Sequence, residues 1–265
     1  MHVNRRHFLT ASAALCATAW LGRASSAPVS AGPADPGLIA DLVAANRILA
    51  RQEVVDGYGH VSVRHHQDPQ RFLISRSLAP ESVSADDIVE LDLDGNQVEG
   101  GTRKLYLERF IHGAIYQARP DVKAVVHHHS AAVIPFSVTK VPLRAVYHMA
   151  AFVAAGVPVF EIRDTAGMTD MLISTPELGR ALAATLGEKP AALMRGHGAV
   201  VVGTTLPEAV ARSVYLQMNA RLQQQVIALG GEINYLDPQE ANKIGNLGGY
   251  DRAWELWKRK VSTRP

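Results

Sequence analysis

The sequence predicts an α/β fold in which helices cover a mostly antiparallel sheet. Three observations point there. Short alternating apolar–polar segments separated by turn residues follow one another between residues 60 and 93, the pattern of an antiparallel meander. Apolar residues at helical spacing recur in longer segments on either side of it. Ala191 to Val202 then reads as strand, tight turn, strand, with Gly196 and Gly198 flanking the bend. With 265 residues, 47% of them hydrophobic, the chain can bury one sizeable core without disulfides.

The N-terminus is a different material. Asn4-Arg5-Arg6-His7-Phe8-Leu9-Thr10 is a twin-arginine pattern, and the apolar run after it, Ala11 to Leu21, is too short and alanine-rich to span a membrane. Val29-Ser30-Ala31 offers small residues for cleavage. Residues 1–31 are therefore expected to be a twin-arginine export signal, giving a periplasmic protein with no integral membrane segment in its mature form. Such export carries proteins that are already folded. The leader holds Arg5, Arg6 and Arg23 and no acid, so its removal takes a chain of net charge +2 to −1. That balance gives no reason to expect a nucleic-acid partner. Cys16 is the single cysteine, so disulfides have no part in the mature fold.

Residues 32–37 are rich in Pro, Gly and Ala and read as a linker. Leu38 to Val55 carries Leu38, Leu42, Ala45, Ile48 and Leu49 at helical spacing and is expected to stop at Gly57-Tyr58-Gly59. His60–Arg64, Arg71–Ser75 and Ile88–Leu93 are the three meander strands. Leu105 to Ala118 is a second helix, ended by Arg119-Pro120, with Glu108 and His112 on one face. Val122 to Val126 leads a buried strand into His127-His128-His129, and a short helix starts within Ser130–Pro135. Val157–Ile162 is another strand. Thr175 caps a helix that has Pro176 in its first position and runs to Leu186. Leu206 to Leu229 is the longest helix and ends at Gly230-Gly231. Gly248 to Lys260 is amphipathic, with Trp254 and Trp257 read as packing residues.

The chemistry gathers around the histidine strand. Alternation puts His127 and His129 on one face and His128 on the other, and two imidazoles so placed can grip one metal ion. His197, between two glycines, offers a third, and three imidazoles with open positions suit a catalytic divalent site. Glu108 supplies a carboxylate as general acid/base or as fourth ligand. His65, His66 and His128 read as structural or solvated.

These stretches resemble the class II aldolase/adducin family over roughly residues 38 to 235. The match rests on Gly59-His60-Val61-Ser62-Val63-Arg64, on Glu108 to Ser130 and on Arg195-Gly196-His197-Gly198, in that order and spacing. The resemblance implies a three-layer αβα sandwich, a catalytic domain over 38–240 followed by a helical tail over 241–265, and a homotetramer with active sites between subunits. It implies one divalent ion per subunit, Zn2+ or Mn2+, held by His127, His129 and His197, with Glu108 exchanging protons with the substrate carbon.

Departures from the family pattern narrow the substrate. Sugar-phosphate members carry Asn at the place of His60, a Thr-Pro-Ser-Gly-like loop at Ser75-Arg76-Ser77-Leu78, and two serines where Tyr106 and Leu107 stand. Losing small hydroxyls and a glycine removes the donors and room that cradle a phosphate. Gly-His-Val-Ser and Ile74-Ser75-Arg76-Ser77 look more like the branch that decarboxylates aromatic hydroxy-acids. The expectation is a lyase for an ortho-hydroxylated aromatic or heteroaromatic acid, with charge left on carbon spread onto a metal-bound oxygen as an enolate or phenolate. Glu108 or His60 then protonates the carbon. Ser75, Arg76 and His148 are the expected substrate-binding residues, Arg76 by a bidentate fork to a second carboxylate. An aldolase for an unphosphorylated hydroxy-acid or aldol is the alternative, and a non-catalytic adducin-like module is a third reading. Retention of all three histidines and Glu108 argues against the last.

Overall fold

The computed structural model of the protein describes residues 32–98, 101–245 and 249–262, and the expected export signal lies outside them. Helix α1 (Pro36–Arg51) starts where Asp35 accepts the Gly37 N–H and a proline takes the first turn, and it buries Leu42, Ala45, Ile48 and Leu49. Its expected continuation to Val55 does not occur. Glu53 enters the left-handed region at φ 57°, and the Val54 and Val55 N–H groups fold back onto the Leu49 carbonyl. Both valines thereby reach the core.

Strands β1 (His60–Arg64), β2 (Arg71–Ser75) and β3 (Ile88–Asp92) form the expected meander. Helix α2 (Arg109–Ala118) begins later than the apolar pattern suggests, because Glu108 is its N-cap residue, with a side chain that makes no cap bond. Then follow β4 (Ala124–His128), the single turn α3 (Ile134–Ser137), β5 (Val159–Phe160), α4 (Arg163–Ala166), α5 (Pro176–Leu186), β6 (Ala191–Met194), β7 (Gly198–Gly203), α6 (Leu206–Leu229), α7 (Pro238–Gly245) and α8 (Asp251–Ser262). The apolar run Val157–Ile162 yields only the two residues of β5, since only Val159 and Phe160 pair with β6. Thr175 and Thr205 accept the Leu178 and Glu208 N–H groups and cap α5 and α6. Gly230, at φ 75°, ends α6.

The seven strands lie in the order β3-β2-β1-β4-β7-β6-β5, antiparallel throughout except for β5 beside β6. On one face Phe72, Ile74, Leu91, Val125 and Val200 pack with Ile111 and Ile115 of α2 and Leu182 of α5. On the other, Val61, Val63 and Val126 pack with Leu42 and Leu49 of α1 and Val210 and Val214 of α6. The result is a three-layer αβα sandwich. Trp254 and Trp257 of α8 belong to this second cluster, so the C-terminal helix completes the core, and α7 crosses residue 240 without a break. Among the described residues no helix is long and apolar enough to cross a membrane.

Candidate metal centre and active site

The pairing of β4 sets the site. His127 lies opposite His60 of β1 and Val200 of β7, and its ring points to the α2 face with that of His60. His129, just beyond the strand, returns to the same side. His197 sits in the β6–β7 turn. There Gly196 adopts φ 63°, and any side chain at Gly198 would collide with the His128 carbonyl. These close backbone approaches let one turn carry His197 over the end of β4.

The outcome is a convergence of four side chains. One ligand atom each from Glu108, His127, His129 and His197 lie within 4.8 Å of one another. The His129 Nε2 is 3.0 Å from both the His127 and the His197 Nε2. Two of the rings have their tautomer fixed from behind: the His127 Nδ1–H donates to the Ala199 carbonyl at 3.1 Å and the His197 Nδ1–H to the Met171 carbonyl at 3.0 Å. Their Nε2 atoms therefore present lone pairs inward. One ring of His129 cannot supply a proton to both, so nitrogens with nothing between them converge on a point. Tetrahedral ligands at ~2.0–2.1 Å would stand about 3.3 Å apart, and the residues fit a divalent cation.

Glu108 closes the ring of donors. Its Oε2 lies 3.3 Å from the His127 Nε2 and 3.6 Å from the His197 Nε2, and its Oε1 accepts the Ile173 N–H at 3.0 Å. Burial pushes its pKa up, but the two histidines outweigh that and hold the carboxyl well below the usual range. His197 answers in kind: burial lowers its pKa, and the neighbouring Glu108 carboxylate raises it above the ordinary value. The segment Met171–Ile173 thus clamps two members of the site through its backbone. Met171 adopts φ 69° to do so, a rare conformation for a non-glycine residue.

The other expected site residues are divided. The His60 ring stands 5.1 Å from that of His127 and 4.6 Å from that of Tyr106. Ser75 is buried and bonded to the Tyr106 Oη at 3.0 Å, while the Tyr106 O–H donates to the Leu78 carbonyl. Arg76 is no free fork: its Nε donates to Asp87 at 2.7 Å. The structure does not bring His148 to the four converging residues. It is exposed on the 3-10 turn His148–Val153 and lines a separate cavity with Phe152, Arg212 and Tyr250, in which none of the four converging residues takes part. The cavity that does reach His129, about 420 Å³, is bordered by Glu53, Asp56 and Glu81.

Three buried residues were given no role by the sequence pattern. His112 bonds His60, the Nε2–Nδ1 distance being 2.6 Å, and its Nδ1 is 2.6 Å from the Ser62 Oγ, which in turn is 2.8 Å from the Tyr116 Oη. Strand alternation from His60 to Ser62 and helical spacing from Glu108 to His112 to Tyr116 already placed all of them on the facing sides of β1 and α2.

The description Class II Aldolase and Adducin N-terminal domain matches residues 40–224. The chain belongs to this family. Among curated class II aldolase relatives, Decarboxylase tropJ of Talaromyces stipitatus is 36% identical over 82% of this chain and 91% of its own. The 3,4-dihydroxyphthalate decarboxylase of Arthrobacter keyseri is 27% identical over 82% of this chain and 89% of its own. Among solved structures, L-fuculose 1-phosphate aldolase from Glaciozyma antarctica PI12 superposes with a TM-score of 0.70 at 27% identity, over 85% of this chain and 88% of that one. Class II aldolases use a divalent metal, and these relatives mark the protein as a lyase-type enzyme.

The buried imidazoles make stability depend on pH. Burial pushes His112 and His128 down to about 3, and burial with the neighbouring imidazoles pushes His129 to about 4. In the unfolded chain each takes up a proton near pH ~6.5, which the folded protein refuses until far lower pH. Stability present above that value is lost as pH falls, by about 1.4 kcal/mol per unit for each of the fully buried His112 and His128 and by less for His129, which solvent partly screens. His60 and His65 shift downward as well, and His197, shifted upward, opposes these five. The urea midpoint of metal-free protein is expected to drop steadily from pH 7 to pH 5, and a midpoint constant over that window would contradict the buried neutral state.

Proposed function

We propose that the protein is a metal-dependent carbon–carbon lyase that decarboxylates an ortho-hydroxylated aromatic or heteroaromatic acid, with one Zn2+ or Mn2+ per subunit. The observation that carries this reading is the convergence of His127, His129 and His197 on ionised Glu108. The surroundings support an unphosphorylated substrate. Ser75 and Tyr106 bond each other, Arg76 is tied to Asp87, and three carboxylates border the adjoining cavity. The donors at the places where sugar-phosphate members hold a phosphate are thereby engaged within the protein. The named activities of the two curated decarboxylases agree in reaction type.

A divalent ion in this site supplies Lewis acidity, lowering the energy of negative charge on the oxygen beside the reacting carbon. Glu108, held ionised, accepts the proton of the ortho-hydroxyl. As the bond to the carboxylate carbon breaks, its electron pair stays on the ring carbon and CO2 leaves. Glu108 then delivers its proton to that carbon, forming the new C–H bond, and the product oxygen regains a proton from water. Burial of Glu108 beside Ile173, fixed by the Ile173 N–H, keeps the carboxyl aimed at the same point throughout. Aldol cleavage of an unphosphorylated substrate needs the same charge placement and is the second reading, favoured by the likeness to the solved aldolase.

Substitutions separate the roles. Glu108→Gln should leave metal content nearly unchanged and lower kcat for CO2 release by roughly 10²–10⁴. His129→Ala should lose metal and activity together. Metal analysis and a panel of hydroxy-acids assayed for CO2 and for aldehyde would read both. Aldehyde in place of CO2 selects the aldolase, and metal loss in Glu108→Gln makes Glu108 a ligand first.

The active form is a homotetramer. Tyr58, Leu107 and Met168 are exposed large apolar side chains close in sequence to His60, Glu108 and Met171, a rim that suits cover by a neighbouring subunit. Light scattering should give four times the subunit mass, and a monomer at micromolar concentration would refute it.

The protein acts in the periplasm after export through Arg5 and Arg6. Changing both to lysine should leave the folded protein in the cytoplasmic fraction; unaltered periplasmic recovery would remove this assignment.

A further inference from the structure

The chain of hydrogen bonds running from Tyr116 to His60 has a direction, and the direction decides what His60 can do. Its members are sealed from solvent: Ser62 and His112 are 0% exposed, Tyr116 1% and His60 4%. Among the described residues the Tyr116 hydroxyl has one hydrogen-bond partner, the Ser62 Oγ at 2.8 Å. Tyr116 must then donate to Ser62, since a buried hydroxyl without an acceptor is costly. Ser62 has a single proton and donates it to the His112 Nδ1. With Nδ1 an acceptor, neutral His112 carries its proton on Nε2 and donates it to the His60 Nδ1. His60 is left with its own proton on Nε2, the ring edge away from His112, on a ring 5.1 Å from that of His127.

We propose that His60 is a neutral hydrogen-bond donor that holds a substrate oxygen through Nε2–H, and that His112, Ser62 and Tyr116 are positioning residues that fix its tautomer. This deepens the lyase reading above and rests on it for the identity of the oxygen, a carboxylate or hydroxyl-derived oxygen of the hydroxy-acid. It assigns proton transfer to Glu108 alone. A neutral imidazole giving up its Nε2 proton would become imidazolate unless the chain refilled it from Tyr116. Burial, outweighing the Ser62 bond and nearby Arg64, holds the Tyr116 phenol well above its ordinary value, so the tyrosine keeps its proton. The chain orients His60 and does not feed it.

The tautomer is testable without turnover. Two-bond 1H–15N correlation on histidine-labelled, substrate-free protein should show His60 and His112 protonated at Nε2 and unprotonated at Nδ1, with assignments from His60→Gln and His112→Gln. Protonation of the His60 Nδ1 would overturn the proposal whatever the reaction proves to be. Tyr116→Phe removes the hydroxyl that sets the direction, and the His60 signals should shift toward a mixture of tautomers; an unchanged spectrum would remove Tyr116 from the device. In turnover of whichever hydroxy-acid releases CO2, His60→Gln places an amide N–H near the position of Nε2 and should retain a tenth or more of kcat. His60→Ala should lose roughly 10²–10³, the cost of one preorganised donor. If Gln is as inactive as Ala while the metal is retained, His60 transfers a proton and the donor role falls. If no hydroxy-acid releases CO2, the lyase reading fails and the spectra still judge the hydrogen-bond chain.

Discussion

Strand β4 has backbone partners on both sides, β1 and β7, and this double pairing removes its freedom to slip. A shift of one residue would send Val125 and His127 to the α1 and α6 side and bring Val126 and His128 to the α2 side. The apolar clusters on the two faces forbid that, because each is built from alternate residues of the same strand. The metal-ligand geometry is therefore a consequence of core packing. His127 faces His60 because Val125 faces Ser62 and Val126 faces Val61. The buried imidazoles carry no independent register information; they inherit it from the valines that precede them.

Polar groups placed so deep must find partners, and here the partners also set the chemistry. The carbonyls of Ala199 and Met171 satisfy the Nδ1 atoms of His127 and His197 and thereby turn the Nε2 lone pairs to the centre. On the neighbouring strand the roles reverse: His60 receives a bond at Nδ1 and keeps a proton on Nε2. Two kinds of imidazole face one pocket, acceptors grouped around a cation position and a donor beside them. Their difference arises from what stands behind each ring, a carbonyl in one case and another histidine in the other.

Much of this was legible in the residues. Period-two alternation named β1 and β2, a threonine cap with a following proline named the start of α5, and glycines around His197 named its turn. The misplaced boundaries share a physical reason. Both α1 and α2 were drawn too long because Val54, Val55, Leu105 and Leu107 extend a helical apolar pattern. Three-dimensional packing uses those residues otherwise, through the left-handed turn at Glu53 and the late start of α2 at Arg109. His148 was assigned to the pocket from its sequence neighbours alone, and no local pattern reveals which cavity a loop histidine reaches. Arg76 pairs with Asp87 across the β2–β3 connection, eleven residues away, and no sequence mark announces that pairing.

The segment between α4 and α5 shows why the site can be both exact in geometry and open to substrate. Its backbone gives the Met171 carbonyl to His197 and the Ile173 N–H to Glu108, so two functional side chains from distant elements are fixed by three consecutive residues. The left-handed conformation of Met171 is the local cost, about 1 kcal/mol or more for a non-glycine residue. Ile173, fully buried in the cluster beneath α2 and α5, supplies the compensation by anchoring the segment from below. A side-chain partner for Glu108 in place of this N–H would bring a second titratable or mobile group to the carboxylate. A backbone amide cannot titrate and scarcely moves. Glu108 is thus free to exchange a proton through one oxygen while the other stays bound, and that asymmetry follows from the placement of a single peptide unit.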